Sequence, residues 1–377
     1  MRNRRNAAKI TAAVLEKLGS DFEIKELDLA GPGPGEVLIE VAGVGLCHTD
    51  LAVAHGHLPF PFPSVVGHEG SGTVVAVGEG VTKVAPGDRV AASFNSCGAC
   101  PECLAGSPVY CVRFMELNFS GVGGAGTTPL HDGAADVGGN FFGQSSFATH
   151  ALAHEINVVK VPDGIPLELV GPLGCGIQTG AGAVLNSLNC PAGSSLLVTG
   201  GGSVGLSAVM AAARGLATII VVEPVAARRR LALELGATHA VDPAAGDVAE
   251  QVRAIIPAGV KYAVDTTAAA PVITAVLASL AQQGRFGMVG VPADPTATLS
   301  VNLIEMQARG LSFTGIVEGD SNPDVFIPEL IDMYKKGAFP FDRIITTMPF
   351  KEINEAVEAQ ARGEVIKVVL VHGSGIG

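Results

Sequence analysis

The sequence predicts an α/β protein in two parts, a doubly wound parallel sheet and a second, mostly β domain. Three observations support this. At 377 residues the chain exceeds what one core comfortably serves. From about residue 180, apolar strand-length runs alternate with helical runs, the rhythm of parallel βαβ units. Before that point the runs are short, alternate apolar with polar residues, and stop at Gly, Pro or Asp, as strands of an antiparallel sheet do.

In the first third, "EVLIEVAGVG" (36–45), "GSGTVVAVGEG" (70–80) and "DRVAAS" (88–93) read as strands. Residues 117–145, rich in Gly, Asp, Asn and Thr, show no clear period and read as a surface excursion. "SSLLVTGGGSVGLSAVMAAARGL" is then a buried strand, a glycine turn and a helix, and "ATIIVVEP" is the next strand. "AARRRLALELGA", "HAVDP", "VAEQVRAII", "KYAVDTT", "PVITAVLASL" and "GRFGMVGV" continue the alternation. Beyond about residue 320 the pattern becomes helical and mixed, through "NPDVFIPELIDMYKKG" and "KEINEAVEAQARG" to "IKVVLVHG".

The composition narrows the function. Forty-nine glycines and 23 prolines imply many turns and close backbone approaches. A net charge of −12 argues against a nucleic-acid surface, which needs a basic face. The opening "MRNRRN" is basic, but "AAKITAAVLEKLG" brings charges too early for a secretory leader. No apolar run approaches the ~20 residues of a membrane span. The expectation is a cytoplasmic protein with reduced thiols.

Four of the seven cysteines fall in "SCGACPECLAGSPVYC". Cys97, Cys100, Cys103 and Cys111 follow C-x2-C-x2-C-x7-C, and each short gap turns the backbone back so that several thiols can face one ion. Four thiolates at ~2.3 Å close a tetrahedral zinc and leave no open position, which makes the site structural. A disulfide pair or a redox C-x-x-C is the competing reading, and neither makes use of four thiols.

Gly200, Gly202 and Gly205 form G-x-G-x-x-G, with Gly201 inside it, directly after the strand "SSLLVT" and before a helix. In a Rossmann domain the first glycine allows the tight turn, the second a close approach to pyrophosphate, and the third packing of helix on strand. The helix N-terminus offers free N–H groups to phosphate. Glu223 ends the next strand 18 residues after Gly205, where an acidic side chain accepts both ribose hydroxyls of NAD. Against a 2′-phosphate it would repel by about 4 kcal/mol per unit charge at ~4 Å and an effective dielectric of 20. Arg228, Arg229 and Arg230 pull the other way, unless most of that run is a solvated helix face. NAD is therefore expected in preference to NADP.

Cys47 opens "CHTD", His68 lies about twenty residues later in "GHEG", and Cys175 sits in "GCGIQTGAGAVLN" (174–186). Each alone is weak, because a lone Cys or His is more often simply packed. Together with the four-cysteine segment and the glycine turn, in this order, they resemble the zinc-dependent medium-chain alcohol dehydrogenases nearly end to end. "GCGIQTGAGAVLN" is most similar to the benzyl and aryl alcohol dehydrogenase branch.

That resemblance implies a GroES-like catalytic domain from residues 1–177 and 320–377, with a Rossmann domain, 178–319, inserted between. It implies a second zinc per chain on Cys47, His68 and Cys175, with the fourth position left for alcohol or water and Glu69 as a transient ligand. Asp50 would orient the His68 ring, and Thr49 would take or relay the alcohol proton. His48 and Lys367 would contact pyrophosphate, Arg228 the adenosine ribose, and Thr179, Val289 and Val291 the nicotinamide half. At Lys367 the family more often has Arg, which grips in a fork where Lys offers a point charge. Cys190 has no role beyond packing.

The implied reaction is reversible oxidation of a primary alcohol to its aldehyde, a Lewis-acidic zinc easing loss of the hydroxyl proton so that hydride passes to NAD. Many members continue the relay to a histidine three residues after Thr49, where this chain has Ala52. His55 and His57 are nearby without a place in it. Phe60, Phe62 and Phe94 either face the substrate or belong to the core. An aromatic or allylic substrate is expected, and the 117–145 excursion is similar to that of dimeric members. The alternatives are a glutathione-dependent formaldehyde dehydrogenase and a nucleotide-binding sensor without catalysis.

Overall fold

The computed structural model describes residues 7–123 and 126–373, so the basic opening "MRNRRN" lies outside the described residues. The chain divides into two compact units. The first comprises Met1–Cys175, Asn322–Glu329 and Ile345–Gly377, and the second Gly176–Ser321 and Leu330–Ile344. A single 178–319 insert does not contain this return of the chain. Leu330–Ile344 joins the second unit because its apolar residues Leu330, Ile331, Phe339 and Phe341 are buried. Arg343 also pairs with Glu234 of that unit at 2.6 Å.

In the first unit, strands β1 (Ala8–Leu15), β2 (Phe22–Leu29), β3 (Glu36–Gly45), β4 (Gly70–Val77) and β5 (Arg89–Ala92) precede the short β6 (Leu130–Asp132) and β7 (Ala135–Val137). Strands β8 (His150–His154) and β9 (Val158–Lys160) follow. Strands β1, β2, β6 and β7 make one sheet in that order. The run "AAKITAAVLEKLG", whose charges spoil it as a leader, forms β1, paired antiparallel with β2 from Ala8↔Leu29 to Leu15↔Phe22. In the larger sheet β3 is central, pairing with β4 and β8. Val37, Ile39 and Val41 of β3 are buried, the alternation that the pleat requires.

The 117–145 segment is not the surface excursion expected from its composition. Leu130, Val137, Phe141, Phe142, Gln144 and Ser145 are buried. Its polar groups are paired with backbone: Ser145 Oγ donates to Val65 O at 2.7 Å, and Thr128 Oγ1 to Val137 O. Hydrogen bonding within the segment and to distant residues thus replaces the periodicity that composition lacks.

The second unit carries β10 (Ser195–Thr199), β11 (Thr218–Val222), β12 (His239–Val241), β13 (Val260–Asp265), β14 (Leu280–Met288) and β15 (Ser312–Gly315). They form an all-parallel sheet in the order β12-β11-β10-β13-β14-β15. That is the doubly wound 3-2-1-4-5-6 order, which reverses direction between its first and fourth strands and opens a crevice there. Leu197, Ile220, Ala263, Val276 and Phe286 centre its core. Strands β16 (Ile345–Pro349) and β17 (Lys367–Val371) return to the first unit, where β17 pairs antiparallel with the end of β3.

Candidate metal centres and nucleotide-binding turn

Four residues from three segments far apart in sequence converge in the first unit. Cys47, His68, Glu69 and Cys175 each offer a ligand atom, and these atoms all lie within 4.8 Å of one another. Local structure explains each position. Strand β3 ends at Gly45, and helix α1 (His48–Ala54) starts on Cys47 as its N-cap residue. Asp50, in the first turn, accepts the Cys47 N–H at 3.0 Å and so fixes where the thiol emerges. His68 and Glu69 lead into β4, and Cys175 follows a short helical turn, Gly171–Gly174.

His68 is held on every side. Its Nδ1 is 2.8 Å from Asp50 Oδ1, and its Nε2 is 3.2 Å from Cys175 Sγ. Phe142 stacks on the ring at 4.4 Å between centroids, and Phe141 meets it edge-on at 5.5 Å. Burial alone would lower the pKa of this imidazole, but Asp50 and then the Cys47 sulfur outweigh burial and hold it well above its ordinary value. The Cys47 thiol is shifted far down, first by its hydrogen bond to Cys175, against burial, then by Lys367 and His68. Two sulfurs beside an imidazole whose outer nitrogen is occupied by a carboxylate make a donor set suited to zinc. Thr49 Oγ1 stands 3.7 Å from Cys47 Sγ, at the edge of this group.

Cys97, Cys100, Cys103 and Cys111 form a second group of the same size. Sulfurs of a tetrahedral thiolate zinc lie about 3.8 Å apart. Here Cys100–Cys103 and Cys97–Cys103 are separated by 3.5 and 3.9 Å. Backbone N–H groups already point at the sulfurs: Cys100 N at Cys97 Sγ and Cys97 N at Cys111 Sγ, both 3.3 Å. The N–H groups of Cys103 and then Val112 bring the Cys100 thiol down to about 6. The loop fits a closed four-sulfur site.

Lys367 differs from expectation. It is 2 % exposed, and its Nζ lies 2.9 Å from both Glu69 oxygens and 3.0 Å from Leu46 O. Its ammonium is directed into the metal-ligand cluster. The reason is the buried Glu69 carboxylate, which holds the Lys367 pKa up against burial. His48, by contrast, is exposed at the start of α1.

In the second unit the glycine turn sits at the switch point after β10. Gly200 has φ +94°, and a Cβ at Gly205 would stand 1.9 Å from Gly200 O, so the helix Ser203–Ala212 can rest on the strand only through glycine. Glu223, at the end of β11, is 3 % exposed. Its Oε2 accepts from Gly201 N–H at 2.6 Å and its Oε1 from Val225 N–H at 2.8 Å, so the carboxylate braces the turn itself. The arginine run is not uniformly solvated. Arg229 donates to Glu223 O and Pro224 O and pairs with Asp242 at 2.7 Å, while Arg228 Nε is buried with no partner among the described residues. Thr179 is buried on the helix Gly176–Gly182, with Oγ1 3.4 Å from Glu318. Val289 follows β14, its N–H on Asp265 O at 2.9 Å, and Val291 is exposed.

Phe60 and Phe94 belong to the buried core, and Phe62 packs on it partly buried. Ala52 lies on α1, and His55 and His57 are exposed beyond its end, their rings 6.0 Å apart. Burial pushes the Cys190 thiol up to about 12, consistent with a packing role. The structure adds residues that no motif indicates. Gln144 Nε2 donates to His68 O and Ser93 O while its Oε1 accepts from Gly70 N–H, tying the ligand strand to its neighbours. Glu318 accepts from Gln178 Nε2 at 3.1 Å beside Thr179. Phe142, in left-handed backbone at φ 50°, supplies the stack on His68.

Known proteins share this arrangement. Residues 33–163 match the alcohol dehydrogenase GroES-like domain, and residues 203–336 match the zinc-binding dehydrogenase domain. The chain is 50% identical over 363 residues to a geraniol dehydrogenase of Castellaniella defragrans, covering 96% of this chain and 97% of that protein. A crystal structure of an alcohol dehydrogenase zinc-binding domain protein from Burkholderia ambifaria superposes with TM-score 0.96 at 44% identity, covering 98% of this chain and 100% of that one. The benzyl alcohol dehydrogenase of Acinetobacter calcoaceticus superposes with TM-score 0.94 at 40% identity, covering 97% and 100%.

Proposed function

The chain belongs to the zinc-dependent medium-chain alcohol dehydrogenases, and on that premise we propose that it interconverts a primary aromatic or allylic alcohol and its aldehyde, with NAD as hydride acceptor. The observation that carries this reading is the convergence of Cys47, His68 and Cys175 on one point of the first unit. Those three residues would hold a catalytic zinc and the four-cysteine loop a structural one. When bound at the first site, zinc supplies Lewis acidity that lowers the pKa of a coordinated hydroxyl by several units. Asp50 holds the outer nitrogen of His68 and so fixes the ring that faces the metal. Thr49, whose Oγ1 is 3.7 Å from Cys47 Sγ, takes or relays the hydroxyl proton in this reading. Beyond it, Ala52 offers no imidazole, so the proton leaves through water.

Glu223 supports NAD, since its carboxylate is fixed beside the glycine turn where a 2′-phosphate would meet a buried negative charge. Geraniol is an allylic and benzyl alcohol an aromatic primary alcohol, and the relatives named for them support that substrate class here. The protein is read as a cytoplasmic homodimer, and among its described residues no helix is long and apolar enough to cross a membrane.

A panel of benzyl, cinnamyl, geranyl, aliphatic and hydroxymethyl-glutathione substrates with NAD and NADP, together with a zinc count, tests the reading. Two zinc ions per chain and highest kcat/KM for an aromatic or allylic alcohol with NAD are expected. One zinc per chain would indicate a sensor that keeps only its structural site. A preference for hydroxymethyl-glutathione would indicate the formaldehyde dehydrogenase instead.

A further inference from the structure

Asp265 ends β13, on the side of β10 opposite β11 and Glu223, at the place where the strand order reverses and a ligand crevice opens. It is fully buried. Its Oδ1 accepts from Thr199 Oγ1 at 2.5 Å and from Thr267 Oγ1 at 2.7 Å, and its Oδ2 accepts from Ala268 N–H at 2.8 Å. Its backbone carbonyl takes the N–H groups of Val289 and Gly290, at 2.9 and 3.1 Å. One residue thus ties together the ends of three neighbouring strands, β10, β13 and β14. Thr199 directly precedes Gly200, and Thr266 Oγ1 donates to its carbonyl at 2.8 Å. The glycine turn is therefore held from the β13 side through Thr199, as it is from the β11 side by Glu223 on Gly201 N–H. The turn after β13 also needs holding. Ala268 has φ 54°, a left-handed conformation that a residue with a Cβ keeps only where its surroundings impose it. Gly290 presses on the same turn, since a Cβ there would stand 2.5 Å from Ala268 N. The preceding residues of β13, Tyr262, Ala263 and Val264, are apolar core, so the carboxyl group departs from core packing only at the crevice end. Burying such a group is costly unless its oxygens find donors, and here each of them does.

We propose that Asp265 is a positioning residue for the dinucleotide, which holds the glycine turn and the turn 266–268 in their binding shape through hydrogen bonds. The inference rests on the nucleotide reading above. A site whose turns are already set loses less freedom when it binds, so the effect falls on affinity. NADH and NADPH, each titrated by fluorescence against the full-length protein without alcohol, read it. Asp265→Ala leaves three donors without their acceptor, and the Kd for both nucleotides rises by a common factor of about tenfold or more. Asp265→Asn restores affinity to near the wild-type value, because an amide can accept from Ala268 N–H while donating to the threonine hydroxyls. A lower Tm in Asp265→Ala with wild-type Kd values overturns the proposal, since the hydrogen bonds would then serve the fold alone. An Asp265→Asn protein that binds as weakly as Asp265→Ala also overturns it, by assigning the effect to charge. So does a change confined to NADPH, which would mark a contribution to 2′-phosphate rejection instead. Should Asp265→Ala fail to fold, Thr267→Ala removes a single exposed donor: a raised Kd supports the role and an unmoved one overturns it. A wild-type protein that binds neither nucleotide defeats the nucleotide reading and this inference together, whereas wild-type binding that Asp265→Ala shares in full defeats the inference alone.

Discussion

Under the proposed function, Glu223 serves two requirements. Its position, 18 residues beyond Gly205, was readable as that of a ribose ligand because the strand–turn–helix geometry sets the spacing. Its hydrogen bonds to Gly201 N–H and Val225 N–H were not readable, because they depend on how a long side chain folds back on its own turn. The two roles separate by substitution. Glu223→Gln keeps an acceptor for the turn but removes the charge, so the fold should persist while discrimination against NADP weakens. The ratio of kcat/KM for NAD over NADP should fall, by up to the roughly thousandfold that about 4 kcal/mol represents. An unchanged ratio would assign the preference elsewhere, and the buried Arg228 Nε, without a partner among the described residues, is the next group to vary. Lys367 marks the opposite limit. Its number along the chain matched a pyrophosphate contact, but the partner that captures it, Glu69, is 298 residues away.

At the scale of elements, what could be read was local. Strands β3, β4 and β5 announce themselves by alternation, and the βαβ rhythm of the second unit by apolar runs between glycine turns. Strands β6 and β7 and the aromatic turn after them do not, since their residues are fixed by partners from other segments. Gln144 illustrates this, with His68 O, Ser93 O and Gly70 N–H all satisfied by one buried amide. Gln144→Ala should cost about 1–3 kcal/mol for each buried group left without a partner. The measurable result is a lower Tm together with faster loss of zinc from the Cys47–His68–Cys175 site, because His68 loses the anchor of its own backbone. A drop in Tm with unaltered zinc release would confine Gln144 to a structural role.

Across the whole molecule, the two groups proposed to hold metal are built in contrasting ways. The four cysteines lie within 15 residues, three of them partly exposed and Cys111 buried, on a loop whose own N–H groups face the sulfurs, so their clustering was legible from spacing alone. The other set is drawn from the start of α1, the segment leading into β4 and the chain beyond residue 170, and it exists only once the first unit has folded. Their responses to metal removal should differ accordingly. A four-thiolate site has no open position through which a chelator can attack, whereas three ligands leave one. Dialysis against a chelator should therefore remove one zinc per chain first, abolishing alcohol oxidation while leaving the far-ultraviolet circular dichroism unchanged, since β3, β4 and α1 do not need the ion to pair. Loss of the second zinc should expose the loop 97–111 to proteolysis, because in apo form four ionisable thiols cannot stay clustered without their cation. Release of both ions in one step, with cleavage of that loop appearing at the same moment as loss of activity, would contradict the separate roles assigned to the two sites.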